Sequence, residues 1–179
     1  MVKDPAGHFV EIVQPELLPT TQAPATANVV AVRVALTVKS VAESVRLYGD
    51  ALGLKVLSAP KSDVAAGAYA AYGVNAAPVA VAQVQVPTSG LVIDLVEFAD
   101  AQLHDVRGRI QDPGSTRMQL RVSDIDAAVA ALKQVGGEVV STGGAPLDLP
   151  AGNGTLKVAI VRDPNNLFIV LIQAPPPAA

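Results

Sequence analysis

One pattern constrains this chain more than any other: an order of predicted elements that occurs twice. "VVAVRVALTV" (Val29–Val38) alternates β-branched and small residues and predicts a strand, with Val32, Val34, Leu36 and Val38 in one row. Ser40 is placed to cap a helix over "VAESVRLYGDAL", whose stripe is Val41, Val45 and Tyr48 and whose end is Gly53. Strands follow at "LKVLSA", "VAVAQVQV" (Val79–Val86) and "LVIDLVEF" (Leu91–Phe98), which gives βαβββ. The order then recurs. "RMQLRV" (Arg117–Val122) predicts a strand, Asp124 caps "IDAAVAALKQV", and Gly136 and Gly137 end that helix. "EVVST", "TLKVAIV" and "LFIVLIQ" complete the second unit. One constant shift lays Arg33 on Arg117, Leu36 on Leu120, Val38 on Val122, Val45 on Val129, Gly53 on Gly137 and Val56 on Val140. A single βαβββ unit covers one sheet face with its helix and leaves the other bare, so two units are expected to pack into one body.

The expected organisation follows. Residues 29–98 and 117–173 are the two modules, 99–116 a charged, turn-rich linker, 16–28 a second linker and 174–179 a frayed tail. "GGAPLDLPAGNG" reads as a wide loop in the second module, because it has no phosphate-loop spacing. The 1–15 stretch is different. "DPAGHFVEIVQP" (Asp4–Pro15) repeats the turn-and-strand character of "DPNNLFIVLIQAP" (Asp163–Pro175), with Glu11 where the later copy has Val170. It reads as the closing strand of a module whose other elements are not beside it. Either the rest of that module lies upstream, or the strand pairs with an open sheet edge in its own chain or a partner's.

Composition removes several function classes. Half of the 179 residues are apolar, which suits a packed core and not a disordered chain. The net charge of -3, with no basic block or basic-aromatic stripe, argues against nucleic acid. There is no cysteine, so thiol catalysis and thiolate metal sites are absent. No apolar run approaches the ~18 residues of a membrane span, and the start has no signal-peptide pattern. Either a cytoplasmic protein is expected, or the sequence begins after a segment that was removed.

Two stretches resemble a known superfamily, the vicinal oxygen chelate proteins, which include glyoxalase I, the bleomycin- and fosfomycin-resistance proteins and the extradiol dioxygenases. "RVALTVKSVAESVRLYGDALGLKVL" is similar to the family's first strand and helix, and "QLRVSDIDAAVAALKQVGGEVV" repeats that signature. "DPNNLFIVLIQ" is similar to its closing turn and strand. The resemblance runs over roughly residues 29 to 173. It implies an α+β fold in which two βαβββ modules pair into a cup-shaped mixed sheet with helices outside. It also implies a metal held by His or Glu on the first and last strand of each module.

Carried onto this chain, those positions are Arg33 and Arg117 on the first strands and Glu97 and Val170 on the last strands. Arginine offers no lone pair and is always cationic, so this set argues against a divalent metal, and no cofactor is expected. The expected ligand is then an anionic or polar small molecule. Arg33, Glu97 and Arg117 are expected to face the cup, with Gln119 and Arg121 beside Arg117 by alternation, and Ile93 and Leu95 beside Glu97. Phe168, Val170 and Ile172 would form an apolar wall, and Tyr69 and Tyr72 a lid from the long connection.

Two other readings stand beside this one. Arg33 and Arg117 could clamp Glu97 in an internal ion-pair network that holds the two modules together, or the chain could be a non-catalytic structural module of a longer protein. Alternatively, Glu97 could act as a general base in a superfamily enzyme of isomerase, lyase or dioxygenase type, with the arginines stabilising an anion. A homodimer, or an upstream module meeting the N-terminal strand, completes the expected partners. His104 reads as a surface histidine, His8 and Glu11 lie on opposite strand faces, and Asp163 and Asn166 read as turn formers.

Overall fold

The computed structural model describes residues 2–5, 7–12, 26, 28–29, 32–61, 74, 79–87, 89–99, 102–152 and 154–175. The chain divides into two compact units. The first comprises residues 1–45 and 54–102, the second residues 46–53 and 103–179.

The first unit opens with a two-stranded hairpin, β1 (Val2–Lys3) and β2 (Phe9–Val10). Its main sheet contains β3 (Arg33–Thr37), β4 (Lys55–Lys61), β5 (Val79–Gln85) and β6 (Val92–Phe98), in the spatial order β3-β6-β5-β4. β3 and β6 are parallel; the other neighbours are antiparallel. Helix α1 (Val41–Val45) leaves β3 and lies against β5 and β6. Val38, Val41, Ala82, Val84, Ile93 and Leu95 form the core beneath it. Ser40 caps the helix as its residue type predicts, with its hydroxyl accepting from Glu43 N at 3.3 Å. The strand predicted at "LKVLSA" extends to Lys61 through Pro60 and breaks register twice against β5. An edge strand tolerates both features, because its outer amide has no ladder partner to lose.

The helix predicted over "VAESVRLYGDAL" is not uniform. From Arg46 to Ala51 it widens into a π turn, with Leu52 N donating to Leu47 O. The wider turn leaves the adjacent Leu47 and Tyr48 both fully buried. This segment groups with the second unit, where it lies against α2 (Ile125–Gln134).

The second unit contains β7 (Arg117–Arg121), α2, β8 (Glu138–Val139), β9 (Leu147–Ala151), β10 (Gly154–Arg162) and β11 (Phe168–Gln173). The order is β7-β11-β10-β8, with β9 also paired to β10. β7 and β11 are parallel, as β3 and β6 are. Asp124 caps α2 by accepting from Ala127 N at 3.0 Å, and Ile125, Val129 and Leu132 on its inner face are buried. The stretch expected as a plain loop holds β9 instead. Its alternating Leu147 and Leu149 pair opposite Val158 and Leu156 of a nine-residue β10. The fold is α+β, with two mixed sheets flanked by helices.

Candidate functional site

The parallel pairing in each unit fixes which side chains share a face. In the first unit Arg33 stands opposite Val92, and Ala35 opposite Asp94. Gln83 lies directly across from Asp94 on β5. Arg33 and Asp94 therefore project from one face, and they meet: Arg33 Nη1 is 3.3 Å from Asp94 Oδ2. Gln83 Nε2 donates to Asp94 Oδ1 at 2.8 Å, and Gln83 N donates to Ser58 Oγ at 3.2 Å. Both oxygens of a carboxylate only 15% exposed are thus engaged by named donors.

Glu97 corrects the sequence expectation. It alternates with Ile93 and Leu95, both fully buried, on the face that α1 covers, opposite the face of Arg33. Its Oε2 accepts from Val41 N, the first residue of α1, at 2.7 Å. An anion suits the exposed N–H groups of a helix start. The second unit repeats the device with an amide. Gln173 Oε1 accepts from Ile125 N at 2.8 Å, at the start of α2. Glu97 corresponds to Gln173 and serves a helix terminus. Ion-pair clamping by Arg33 and a role as base beside it both require the other face.

The same register identifies the residue that sequence matching missed. Arg117 stands opposite Phe168 and Gln119 opposite Val170, as Arg33 stands opposite Val92 and Ala35 opposite Asp94. Asp94 is therefore the counterpart of Val170. "LVIDLVEF" carries two acids three residues apart, and alternation puts them on opposite faces. Only pairing with Arg33 tells which one faces the arginine.

In the second unit this row is open. Arg117, Gln119 and Arg121 are exposed on one side of β7, beside Phe168, Val170 and Ile172 of β11. Val170 offers Arg117 no carboxylate. None of the three polar side chains has a hydrogen-bond or ion-pair partner among the described residues. Arg162 joins the face from β10: it stands opposite Phe168, with its guanidinium carbon 4.4 Å from the ring centroid. Its Nη2 donates to Gly108 O at 3.1 Å, and Nε lies 4.0 Å from Glu138 Oε2. The row across the sheet is Arg117, Phe168, Arg162, Glu138.

The turn between β10 and β11 is held by Asp163. Asp163 Oδ1 accepts from Asn165 N at 2.9 Å and Leu167 N at 2.8 Å, and Tyr48 Oη donates to Oδ2 at 2.9 Å. Burial, and then the neighbouring Asp163 carboxylate, hold the Tyr48 phenol well above its ordinary pKa. Asn166 takes φ 68°, a left-handed conformation that asparagine tolerates in a turn.

These donors do not fit a divalent ion. At the four positions the register equates there are two guanidiniums, one valine and one aspartate already paired with Arg33. Among the described residues no three His, Asp or Glu side chains converge as a metal cluster. Tyr69 and Tyr72 lie outside the described residues. His104 is exposed in the 99–116 segment, and His8 is occupied with Asp4, its Nδ1 3.1 Å from Asp4 Oδ2.

A parallel first and last strand with an intervening helix, present in both units, and two further strands in the first unit and three in the second, define a protein built of two modules of βαβββ type. Residues 31–170 match the sequence profile of the Glyoxalase/Bleomycin resistance protein/Dioxygenase superfamily, and the chain belongs to that family. Comparison with curated proteins gives no match. Among solved structures, a glyoxalase family protein from Bacillus cereus aligns with TM-score 0.68 at 19% identity, covering 84% of this chain and 98% of its own. A glyoxylase/bleomycin resistance protein/dioxygenase domain from Frankia sp. aligns with TM-score 0.55 at 20% identity, covering 83% of this chain and all of its own. A glyoxalase I mutant from Zea mays aligns with TM-score 0.54 at 21% identity; 79% of this chain covers 44% of that one. At such identities the likeness is one of fold. Among the described residues no helix is long and apolar enough to cross a membrane.

Proposed function

We propose that this member of the family binds an anionic or strongly polar small molecule without a divalent metal. The β7 face of the second unit is the recognising surface. Arg117 and Arg121 supply guanidinium forks suited to a carboxylate or phosphate, Gln119 supplies an amide between them, and Phe168, Val170 and Ile172 offer an apolar floor. The single observation that carries this reading is the contrast between equivalent arginines. Arg33 is paired with Asp94, whereas Val170 stands at the equivalent position in the second unit and Arg117 has no partner among the described residues.

The test is calorimetric titration of the purified protein with a panel of small aromatic and aliphatic carboxylates and phosphate esters, before and after chelator treatment. Saturable binding should survive chelation. It should weaken about ten- to a hundredfold in Arg117→Ala and in Arg121→Ala, the worth of one charged hydrogen bond, and change little in Arg33→Ala. A stoichiometric divalent ion that is required for binding, or binding indifferent to both β7 arginines, overturns the reading.

A further inference from the structure

The sheet faces that carry Arg33 and Arg117 share one register, so each row of one has a counterpart in the other. Val92 stands opposite Gln85 as Phe168 stands opposite Arg162, and the following rows keep step. In the first unit the second row is Ala35, Asp94, Gln83 and Ser58, tied together by the hydrogen bonds of Gln83. In the second unit that row is Gln119, Val170 and Ile160. Val140 N donates to Ile160 O at 2.9 Å and extends the row past β10. The third row is Thr37, Val96, Val81 and Lys61 in the first unit. It is Arg121, Ile172, Val158 and Leu147 in the second. Where one sheet has a hydrogen-bonded polar row the other has an apolar one, and a leucine stands in place of a terminal lysine.

Burial differs as well. Val96 sits in a buried cluster with Val79 and Phe98, and Val81 packs against it. The counterparts Ile172 and Val158 are only half-buried, as are Val170 and Ile160. Leu147 and Val140, at the far ends of the two rows, are each 36% exposed. These residues are neighbours both along and across the strands, so they form a contiguous apolar track and not scattered exposure. The track starts at a cationic edge. Arg117 and Arg121 on β7 have no acidic partner among the described residues. An anionic head at β7 with an apolar path leading away from it describes the complement of an amphiphile. From β11 to β9 the track crosses two strand spacings, about 10 Å. A chain of ~1.5 Å carbon–carbon bonds at tetrahedral angles covers that distance in roughly eight bonds.

We propose, resting on the anion binding assigned above to the β7 face, that its ligand is a straight-chain aliphatic monocarboxylate of about eight to ten carbons. The carboxylate takes the guanidinium fork of Arg121, which heads the apolar row, with Arg117 and Gln119 beside it. A planar fork matches a planar carboxylate, and this row has one arginine at its head. The alkyl chain lies across Ile172 and Val158 and ends against Leu147.

The probes are butanoate, hexanoate, octanoate and decanoate, titrated calorimetrically into the full chain below their micellar concentrations, with n-octanol as the neutral control. Affinity should rise about twofold per added methylene up to octanoate, half of the roughly fourfold of full burial, because one side of the chain stays in water. Octanol should bind at least about tenfold more weakly than octanoate, having lost the charged hydrogen bonds. Leu147→Asp, at an exposed position, should leave butanoate unchanged and weaken decanoate at least about tenfold, since it sets a charge against the end of the chain. Arg121→Ala should weaken all four acids by one common factor and keep the slope. A flat series, octanol bound as tightly as octanoate, or decanoate indifferent to Leu147→Asp overturns the proposal. A flat series in which butanoate still depends on Arg117 leaves the anion binding of the β7 face standing. No binding of any of the four acids overturns the proposal too, and the anion binding falls with it when the phosphate esters of the wider panel also fail.

Discussion

Arg33 and Asp94 meet at 3.3 Å across the parallel strands β3 and β6, and the pair has no equivalent between β7 and β11, where Val170 takes the place of Asp94. One side-chain difference at a repeated position thus separates a closed arginine from an open one. Replacing Val170 with Asp should close the second. Anion binding at the β7 face should fall about as far as in Arg117→Ala, because an internal carboxylate competes for the same guanidinium. Titration of the Val170→Asp protein with the best carboxylate of the panel checks this. Retained affinity would mean that Arg117 is not the recognising group. The reverse change, Asp94→Val, should cost only about 1 kcal/mol of stability, since Arg33 is a third exposed and can turn to water.

Glu97 and Gln173 hold the same place at the starts of α1 and α2. Removing either acceptor leaves a helix N–H without its partner, so Glu97→Ala and Gln173→Ala should each destabilise by about 1 kcal/mol in denaturant unfolding. Glu97→Gln should recover most of that loss, because Gln173 shows that an amide oxygen suffices. A catalytic base would respond oppositely, since the amide would abolish activity while stability held. The comparison of Glu97→Gln with Glu97→Ala therefore separates the two roles.

The element order was legible in the sequence because each module repeats its own punctuation: a Ser or Asp before the helix, a glycine after it, and alternating strands between. Alternation, which is local, put Arg117, Gln119 and Arg121 in one row and Phe168 and Val170 in another; that the two rows share a face rests on the pairing of β7 with β11. Glu97 was misplaced because its side depends on how β6 pairs with β3, a relation between residues far apart in sequence. The last strands do not align by the shift that aligns the first strands, because the segments between first and last strand differ in length in the two modules. Strand β9 was hidden by prolines and glycines that ordinarily mark loops. Arg162 gave no local signal beyond preceding Asp-Pro. Its role rests on the ring across the ladder.

Tyr48 and Asp163 make a pH-dependent contribution of known sign. The phenol's folded pKa lies above its unfolded value near 10, so the folded state retains the proton longer. The stabilisation is fully present below about pH 10 and is lost as pH rises through the folded pKa. Denaturant unfolding between about pH 9 and 11.5 should therefore show a fall whose slope approaches ~1.4 kcal/mol per pH unit from this group. Tyr48→Phe should be about 1–3 kcal/mol less stable at neutral pH, since Asp163 loses a donor while buried, and should lack that component of the alkaline slope. An unchanged alkaline profile in Tyr48→Phe would remove the assignment.

Gly53 and Gly137 stand at matching places after the two helices, yet they are glycine for different physical reasons. Gly53 has φ 71°, and a Cβ added there would meet nothing within 4 Å, so its constraint is conformational. Gly137 has no left-handed φ; a Cβ there would lie 2.8 Å from Leu132 O and 3.0 Å from Val161 Cγ1. Its own N–H donates to that carbonyl at 2.8 Å, so the backbone cannot retreat without losing the bond that closes α2. Gly53→Ala should cost about 1 kcal/mol, and Gly53→Asn less, because asparagine accepts the left-handed region. Gly137→Ala should cost more, about 2–3 kcal/mol, and Gly137→Asn should recover nothing, because the obstacle is space. Paired unfolding curves for the four variants check the assignment. Rescue by asparagine at position 137 but not at position 53 would reverse it.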